Sequence, residues 1–490
     1  MKPRDGFLNT SFLRVVAKLV AGPPNEGPGE LCLPPSICSS CAAPTMPSKE
    51  HAKELTKALL KGHRGPVNCL AHSSSVVTAP APSLLLSGSS DGTARLWDLR
   101  TQRAASCIIA PVDDGGDSDV TSVAFHPLST ATTTSSSKSN PYARDMTIYL
   151  SVGCGVYGYD LRNATAPIIR SYDTDISNSL QSDDEVNEIV FSKPSSAGGG
   201  NGKIRLAAAD DLGDVRVMEN VPFKLSSDSS NKNRREIKNQ RCRVLRHAID
   251  DENAMATCLA FRPKSGGIDL ISGGTDCAIR LWDVSRPHRP SSSVQISGDD
   301  SGNAQVCNPP FVNQIAFSKH GTLIAAALGD GTASVLGIKG RSISQKCRLS
   351  GGHSSSVASV LFPAFGCDTS SNITANDRLL VTGGSEGKIM IWDIGSAVAG
   401  KNAVDPSTWL VGCAPSPAEN IAEDMSSLSL DKQKEQGANQ NVDPRILFGI
   451  PHGQKINTIT SSTSKESVMA SSLFVADTSN DITAYMIARD

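Results

Sequence analysis

Aromatic residues make up only 4% of this chain, while Ser, Thr, Gly and Asn crowd several segments, so part of its length reads as flexible loop. No apolar run approaches the roughly 20 residues that a bilayer-spanning helix needs, which leaves no candidate for a helical membrane span. Charge of one sign is also lacking. The 47 Lys and Arg against 49 Asp and Glu leave a net charge of −2, with no global pull toward nucleic acid or an anionic membrane. The 13 cysteines lack the spacing of a small disulfide scaffold and the start lacks a secretory signal. Together these place the protein in a reducing compartment, cytoplasmic or nuclear, with free thiols. A phosphate-cradling Gly-Lys-Ser loop, a His-Glu-x-x-His zinc helix and a carboxylate pair at fixed offset are missing too, and the glycines at 198–200 lack the Rossmann spacing. The expectation is therefore a protein that is no enzyme and carries neither metal nor cofactor.

What is present is a repeat. Residues 85–100, LLSGSSDGTARLWDLR, read as a strand, a tight Ser-Asp-Gly turn and a second strand ending in Trp97-Asp98-Leu99-Arg100. Hairpins of this kind recur at 84–98, 148–160, 205–218, 269–283, 322–338, 379–393 and 472–487. Before each lies a short strand with mostly apolar residues at i, i+3 and i+5. These are Val67, Leu70 and His72; Val120, Val123 and Phe125; Val186, Ile189 and Phe191; Ala256, Leu259 and Phe261; Val312, Ile315 and Phe317; and Val357, Val360 and Phe362. A weaker last copy has Ile456 and Ile459. One hairpin is marginal in water, so a series means small sheets packed on one another. The Trp-Asp pair returns at Trp282-Asp283 and Trp392-Asp393, and Gly62-His63 and Gly352-His353 lie upstream of two hairpins. In these features the chain resembles the WD-repeat β-propellers, which implies an all-β, seven-bladed propeller over residues 51–490.

The copies are spaced more widely than the 40 to 45 residues usual for this repeat, which predicts inserted loops at 128–143, 195–202, 221–243, 284–308 and 394–448. The segment 54–61 is placed to supply the outer strand of the seventh blade, joining the two ends of the chain in one sheet and removing an open edge. Residues 1–50 read as a disordered extension. A basic, acid-poor transit peptide and a start at Met46 are the alternatives. Cys32, Cys38 and Cys41 have no fourth ligand nearby, against the four that close a structural zinc site.

His63, Ser87 and Asp91 carry the residue types of a hydrolase triad, but no Gly-x-Ser-x-Gly elbow surrounds Ser87. The family resemblance implies instead a structural tetrad of His63, Ser87, Asp91 and Trp97. There the aspartate holds the histidine, and the histidine reaches the serine that also takes the indole N–H. His353, Thr382, Glu386 and Trp392 repeat it in blade six; His247, Ser272, Asp276 and Trp282 do so in blade four. Blades two, three, five and seven lack most of the set and are expected to be softer.

The box ending in Asp98-Leu99-Arg100 also resembles the docking element of WD-repeat substrate receptors for Cullin-4 ubiquitin ligases. Tyr159-Asp160-Leu161-Arg162 repeats that ending in blade two, whereas Ser285 and Gly395 stand in place of arginine in blades four and six. The resemblance implies that Asp98, Arg100, Asp160 and Arg162 contact the ligase adaptor, of the damaged-DNA-binding protein family, while another surface presents an unknown target protein. The bland alternative makes both arginines solvated rim charges. A competing function, a scaffold or peptide reader unrelated to ubiquitin, predicts acidic or aromatic residues around the central channel. The basic run 231–243 lacks the interleaved aromatics that stack single-stranded bases, so no sequence-specific nucleic-acid binding is expected.

Overall fold

Short β-branched strands broken by Gly, Asp and Ser turns pair here into seven antiparallel sheets. The computed structural model describes residues 56–73, 84–112, 119–127, 146–164, 166–170, 176–193, 204–221, 242–249, 253–286, 289–298, 308–363, 378–395, 445–463 and 471–486. The chain divides into Met1–Glu54 and Leu55–Asp490. The first unit lies outside the described residues, and with it the extension expected over 1–50, Met46 and the thiols Cys32, Cys38 and Cys41.

Counted from the inside outward, blade one is Val67–His72, Leu84–Ser89, Thr93–Asp98 and Arg103–Ile109. Blade two is Val120–Phe125, Thr147–Val152, Gly155–Asp160 and Ile176–Gln181, and blade three is Val186–Phe191, Arg205–Asp210, Asp214–Glu219 and Cys242–Arg246. Blade four follows with Ala256–Phe261, Asp269–Gly274, Ala278–Asp283 and Ser292–Gln295, and blade five with Val312–Phe317, Leu323–Leu328, Ala333–Lys339 and Ser342–Leu349. Blade six is Val357–Leu361, Leu379–Gly384, Lys388–Asp393 and Ile446–Pro451. Blade seven is composite. Ile456–Thr463, Ser471–Asp477 and Asp481–Met486 are completed by Thr56–Lys61, which pairs antiparallel with the last of them, Thr56 opposite Met486. Each inner strand touches that of the next blade, and that of blade seven touches that of blade one, so the ring closes.

The core lies between blades rather than within them. Seven apolar clusters fill the seven interfaces. Alternation along a strand sends Leu84 and Leu86 toward blade two and Leu85 and Trp97 toward blade seven. Both sheet faces are thus buried, which is why Leu84–Ser89 is a continuous buried run and not an apolar-polar alternation. Each fully buried Leu contributes roughly 1.5–3 kcal/mol.

Three of the stretches expected as insertions contain outermost strands. Cys242–Arg246 begins inside 221–243, Ser292–Gln295 lies inside 284–308, and Ile446–Pro451 begins inside 394–448. Outer strands carry the least apolar pattern; Cys242–Arg246 buries only Leu245. The stretches 128–143 and 195–202 lie outside the described residues. A fifth strand in blade one, Ile168–Ile169, comes from the connection between the last two strands of blade two. It runs parallel to Arg103–Ile109, and the Cys107 N–H donates to the Pro167 carbonyl at 2.7 Å. It covers an edge that would otherwise stand open.

In all seven blades the innermost pairing slips by one residue directly after the first apolar position, leaving a β-bulge. The bulged residues are Asn68, Thr121, Asn187, Thr257, Asn313, Ala358 and Asn457. Freed from the ladder, six of them donate to the first inner-strand carbonyl of the following blade. Asn68 reaches Val120 at 3.2 Å, Thr121 reaches Val186 at 2.6 Å, and Asn187 reaches Ala256 at 3.1 Å. Thr257 reaches Val312, Asn313 reaches Val357 at 2.8 Å, and Asn457 reaches Val67 at 2.8 Å. The Ala358 methyl has no donor to offer, so this belt is open between blades six and seven.

Candidate functional site

On the face where the second and third strands turn, three blades carry a closed polar set. In blade one His63 Nε2 lies 2.7 Å from Ser87 Oγ, the Trp97 indole N–H donates to that same oxygen at 2.8 Å, and His63 Nδ1 stands 3.2 Å from Asp91. Blade six repeats this, with His353 2.7 Å from Thr382 Oγ1, 2.6 Å from Glu386, and Trp392 donating to Thr382 at 2.8 Å. Blade four turns the ring over. His247 Nδ1 faces Ser272 Oγ at 2.7 Å and Nε2 faces Asp276 at 3.1 Å, while Arg280 stands 3.0 Å from that Nε2. Trp282 donates to Ser272 at 2.8 Å. Burial pushes the Asp91 carboxyl up, but hydrogen bonds from His63, Thr93 and the Arg64 amide outweigh it and hold it well below the usual carboxylate range. Ser87 and His63 are both buried and mutually satisfied, the geometry of a tie between turns rather than of an exposed nucleophile.

Blade seven holds a set that the sequence reading missed. His452 Nε2 lies 2.6 Å from Asp477 and its Nδ1 2.8 Å from the Tyr485 hydroxyl. By register Tyr485 stands in the place of Trp97 and Val475 in that of Ser87. The phenol reaches the histidine directly, so no bridging hydroxyl is needed. The usable signal was Pro451-His452-Gly453 followed by Asp477, at a shifted position in the hairpin.

The opposite face carries the proposed docking residues. Asp98 accepts from the Arg100 amide at 3.0 Å, from Arg100 Nε at 3.2 Å and from Nη2 at 2.9 Å. In blade two Asp160 accepts from the Arg162 amide at 3.1 Å, from Nε at 2.8 Å and from Nη2. The two arginines differ in exposure: the side chain of Arg100 is 56% exposed and that of Arg162 only 18%, over a fully buried Asp160. In blades four and six the aspartate makes the same turn, accepting from the Ser285 amide at 2.9 Å and the Gly395 amide at 2.9 Å. Its guanidinium comes from elsewhere, Arg341 of blade five for Asp283 at 2.6 Å and Arg378 for Asp393 at 2.5 Å. An arginine on this aspartate is thus a general device of the fold; exposure sets Arg100 apart from Arg162 and Arg378, and Arg341 shares it at 50%. Of the basic run 231–243, only Cys242 and Arg243 are described, and Arg243 lies 3.5 Å from Glu219.

Around the inner wall, the residue after the bulge forms a partial second belt in blades two, three, five and six. Ser122, Glu188, Gln314 and Ser359 each accept the inner-strand amide of the next blade, from Ile189 at 3.1 Å, Leu259 at 2.6 Å, Val360 at 2.8 Å and Ile459 at 3.0 Å. Burial raises the Glu188 carboxyl to about 8, the Leu259 amide opposing it, and burial raises the Cys69 thiol to about 12. Among the described residues the cysteines are free, no group of His, Cys, Asp and Glu could hold a metal, and no helix is long and apolar enough to cross a membrane.

The model of the WD domain, G-beta repeat, matches residues 54–98, 242–283 and 345–393, the three stretches that hold the tryptophan-anchored sets. With seven four-stranded blades closed into a ring, the chain belongs to the WD-repeat family of β-propellers. It is similar to WD repeat-containing protein 53 homolog of Dictyostelium discoideum, with 25% identity over 437 residues that cover 86% of this chain and 92% of that protein. It is also similar to striatin-4 of Mus musculus, with 27% identity over 227 residues, 46% of this chain and 22% of that one. Propellers of this family are generally platforms for protein partners.

Proposed function

We propose that this propeller is a substrate receptor that docks on the adaptor of a Cullin-4 ubiquitin ligase, of the damaged-DNA-binding protein family, through the loop face of blades one and two. The observation that carries the reading is Arg100. Its guanidinium is clamped bidentately by Asp98 through Nε and Nη2 on a rigid strand end, so its Nη1 donors face outward at low entropic cost. Asp98 and Asp160 fix the two turns, and Arg162 acts chiefly from beneath. Recruitment of a target protein elsewhere on the propeller makes ubiquitin transfer effectively intramolecular by raising local concentration. The protein then works in the cytoplasm or nucleus, without catalysis of its own.

The test is capture of purified adaptor by the full chain and by Arg100→Ala, with melting curves alongside. Adaptor retained by wild type and lost from a normally melting Arg100→Ala supports the reading; equal capture, or none by wild type, overturns it. The peptide-reader alternative asks for acidic or aromatic side chains around the channel. The two inner belts carry amides, hydroxyls, thiols and one carboxylate, Glu188.

A further inference from the structure

On the face that carries Arg100, but across blade three from it, the described residues of blades four and five present exposed cations without exposed acids. The connection between the first two strands of blade four carries Lys264, and that between its last two carries Arg286 and Arg289. The corresponding turns of blade five carry Lys319 and then Lys339 with Arg341, and all six side chains are exposed. The described residues of 253–363 include only four acids. Asp276 and Asp330 belong to turns of the opposite face. Asp269 and Asp283 lie buried beneath this one, tied to Arg262 at 3.2 Å and Arg341 at 2.6 Å. Apart from Arg341, none of the six exposed cations has an acidic partner among the described residues.

The patch is also held rigid. Arg262 donates through Nε to the Gly321 carbonyl at 2.9 Å and through Nη1 to the Gly340 carbonyl at 2.9 Å, fastening both turns of blade five to blade four. Arg341 crosses back to Asp283, and Lys264 Nζ lies 3.1 Å from His320 Nδ1. Two arginines are thus consumed as staples while the exposed lysines stand over them uncompensated.

We propose that this face of blades four and five is a docking surface for an acidic segment of a partner protein. Among its described residues the patch has no exposed aromatic side chain on which bases would stack. It is local in a chain whose net charge is −2, so a short acidic segment gains its full attraction, whereas a long polyanion runs on past uncompensated carboxylates. The surface needs neither Arg100 nor Arg162, and the proposal stands whether or not the adaptor docks.

The test is fluorescence anisotropy of a labelled Glu- and Ser-containing peptide, and separately of a labelled duplex DNA, with the full chain. We compare wild type, the triple Lys264→Glu/Lys319→Glu/Lys339→Glu, and the charge-matched triple Lys61→Glu/Lys388→Glu/Lys455→Glu on the opposite face. The expected result is peptide binding that weakens with salt, falls about tenfold or more in the first triple and holds in the second. Absence of peptide binding to wild type, equal loss in both triples, or duplex bound more tightly than peptide at the same salt overturns the proposal. Lys264, Lys319, Lys339, Lys61 and Lys388 are exposed and Lys455 is half-buried, so the variants should melt close to wild type. Should a charge-reversed triple fail to fold, the same lysines changed to Gln give the same comparison with a smaller drop.

Discussion

Arg100 and Arg162 occupy the same place in consecutive blades, yet truncation should affect them differently. Arg100→Ala removes a largely solvated partner from an aspartate that keeps its turn amides, and should melt within about 0.5 kcal/mol of wild type. Arg162→Ala strips a fully buried Asp160 of its guanidinium and should cost on the order of 3 kcal/mol in urea titration. Docking experiments that change both arginines therefore confound binding with folding. Trp97→Ala, which empties a buried indole site and removes one of the two hydrogen bonds of Ser87, should cost roughly 3–5 kcal/mol. Glu188 supplies a pH signature. Its carboxyl is raised to about 8 from an ordinary value near 4.5, so the folded state holds a proton that the unfolded state releases, and stability falls as pH rises through that window. Gln314 already does the same work in blade five without charge. Glu188→Gln should therefore melt higher than wild type at about pH 9, by at least about 1 kcal/mol, with the gap closing toward about pH 5.

At the scale of the strand, the bulge belt has one gap, and filling it is the natural experiment. Ala358→Thr should donate to the first inner-strand carbonyl of blade seven, as Thr121 does to Val186, and raise stability by about 1 kcal/mol. Asn457→Ala should lose a similar amount by releasing Val67. Both are read as shifts in the urea midpoint at constant slope. The inner strands and hairpins were legible because their apolar spacing and Ser-Asp-Gly turns repeat. The belt itself was overlooked although its signal is plain in hindsight: Asn or Thr directly follows the first apolar residue in six of the inner strands. An apolar template sees those positions only as interruptions. The outer strands Ser292–Gln295 and Cys242–Arg246 were not legible for a different reason. They pack one side on a neighbour and leave at least half of their residues exposed, which is the composition of a loop.

For the molecule as a whole, acid should be the weak side. Asp91, Asp276 and Asp477 are held below the ordinary carboxylate range, in each case by hydrogen bonds from a histidine and its neighbours that outweigh burial. Their contribution is fully present above about pH 4 and is lost as pH falls through their lowered values. His247, lowered by burial, adds an earlier loss from about pH 6.5 downward, because protonation there favours the unfolded chain. Urea midpoints in Glu188→Gln, free of the opposing glutamate titration, should decline in these two stages; a midpoint flat from neutrality to about pH 4 would contradict the His247 assignment, and one that holds as pH falls further would contradict the aspartate assignment. The number of blades was readable because each blade begins with its own inner strand, whereas the cation patch of blades four and five was hidden from composition by acids elsewhere in the chain. The composite seventh blade carries one more consequence. Thr56 lies opposite Met486, at the same end of the sheet, so tension applied to the two ends of the propeller peels Thr56–Lys61 away one hydrogen bond after another instead of shearing all of them together. Under mechanical load the ring should open first at this seam, at low force, with the other six blades still folded.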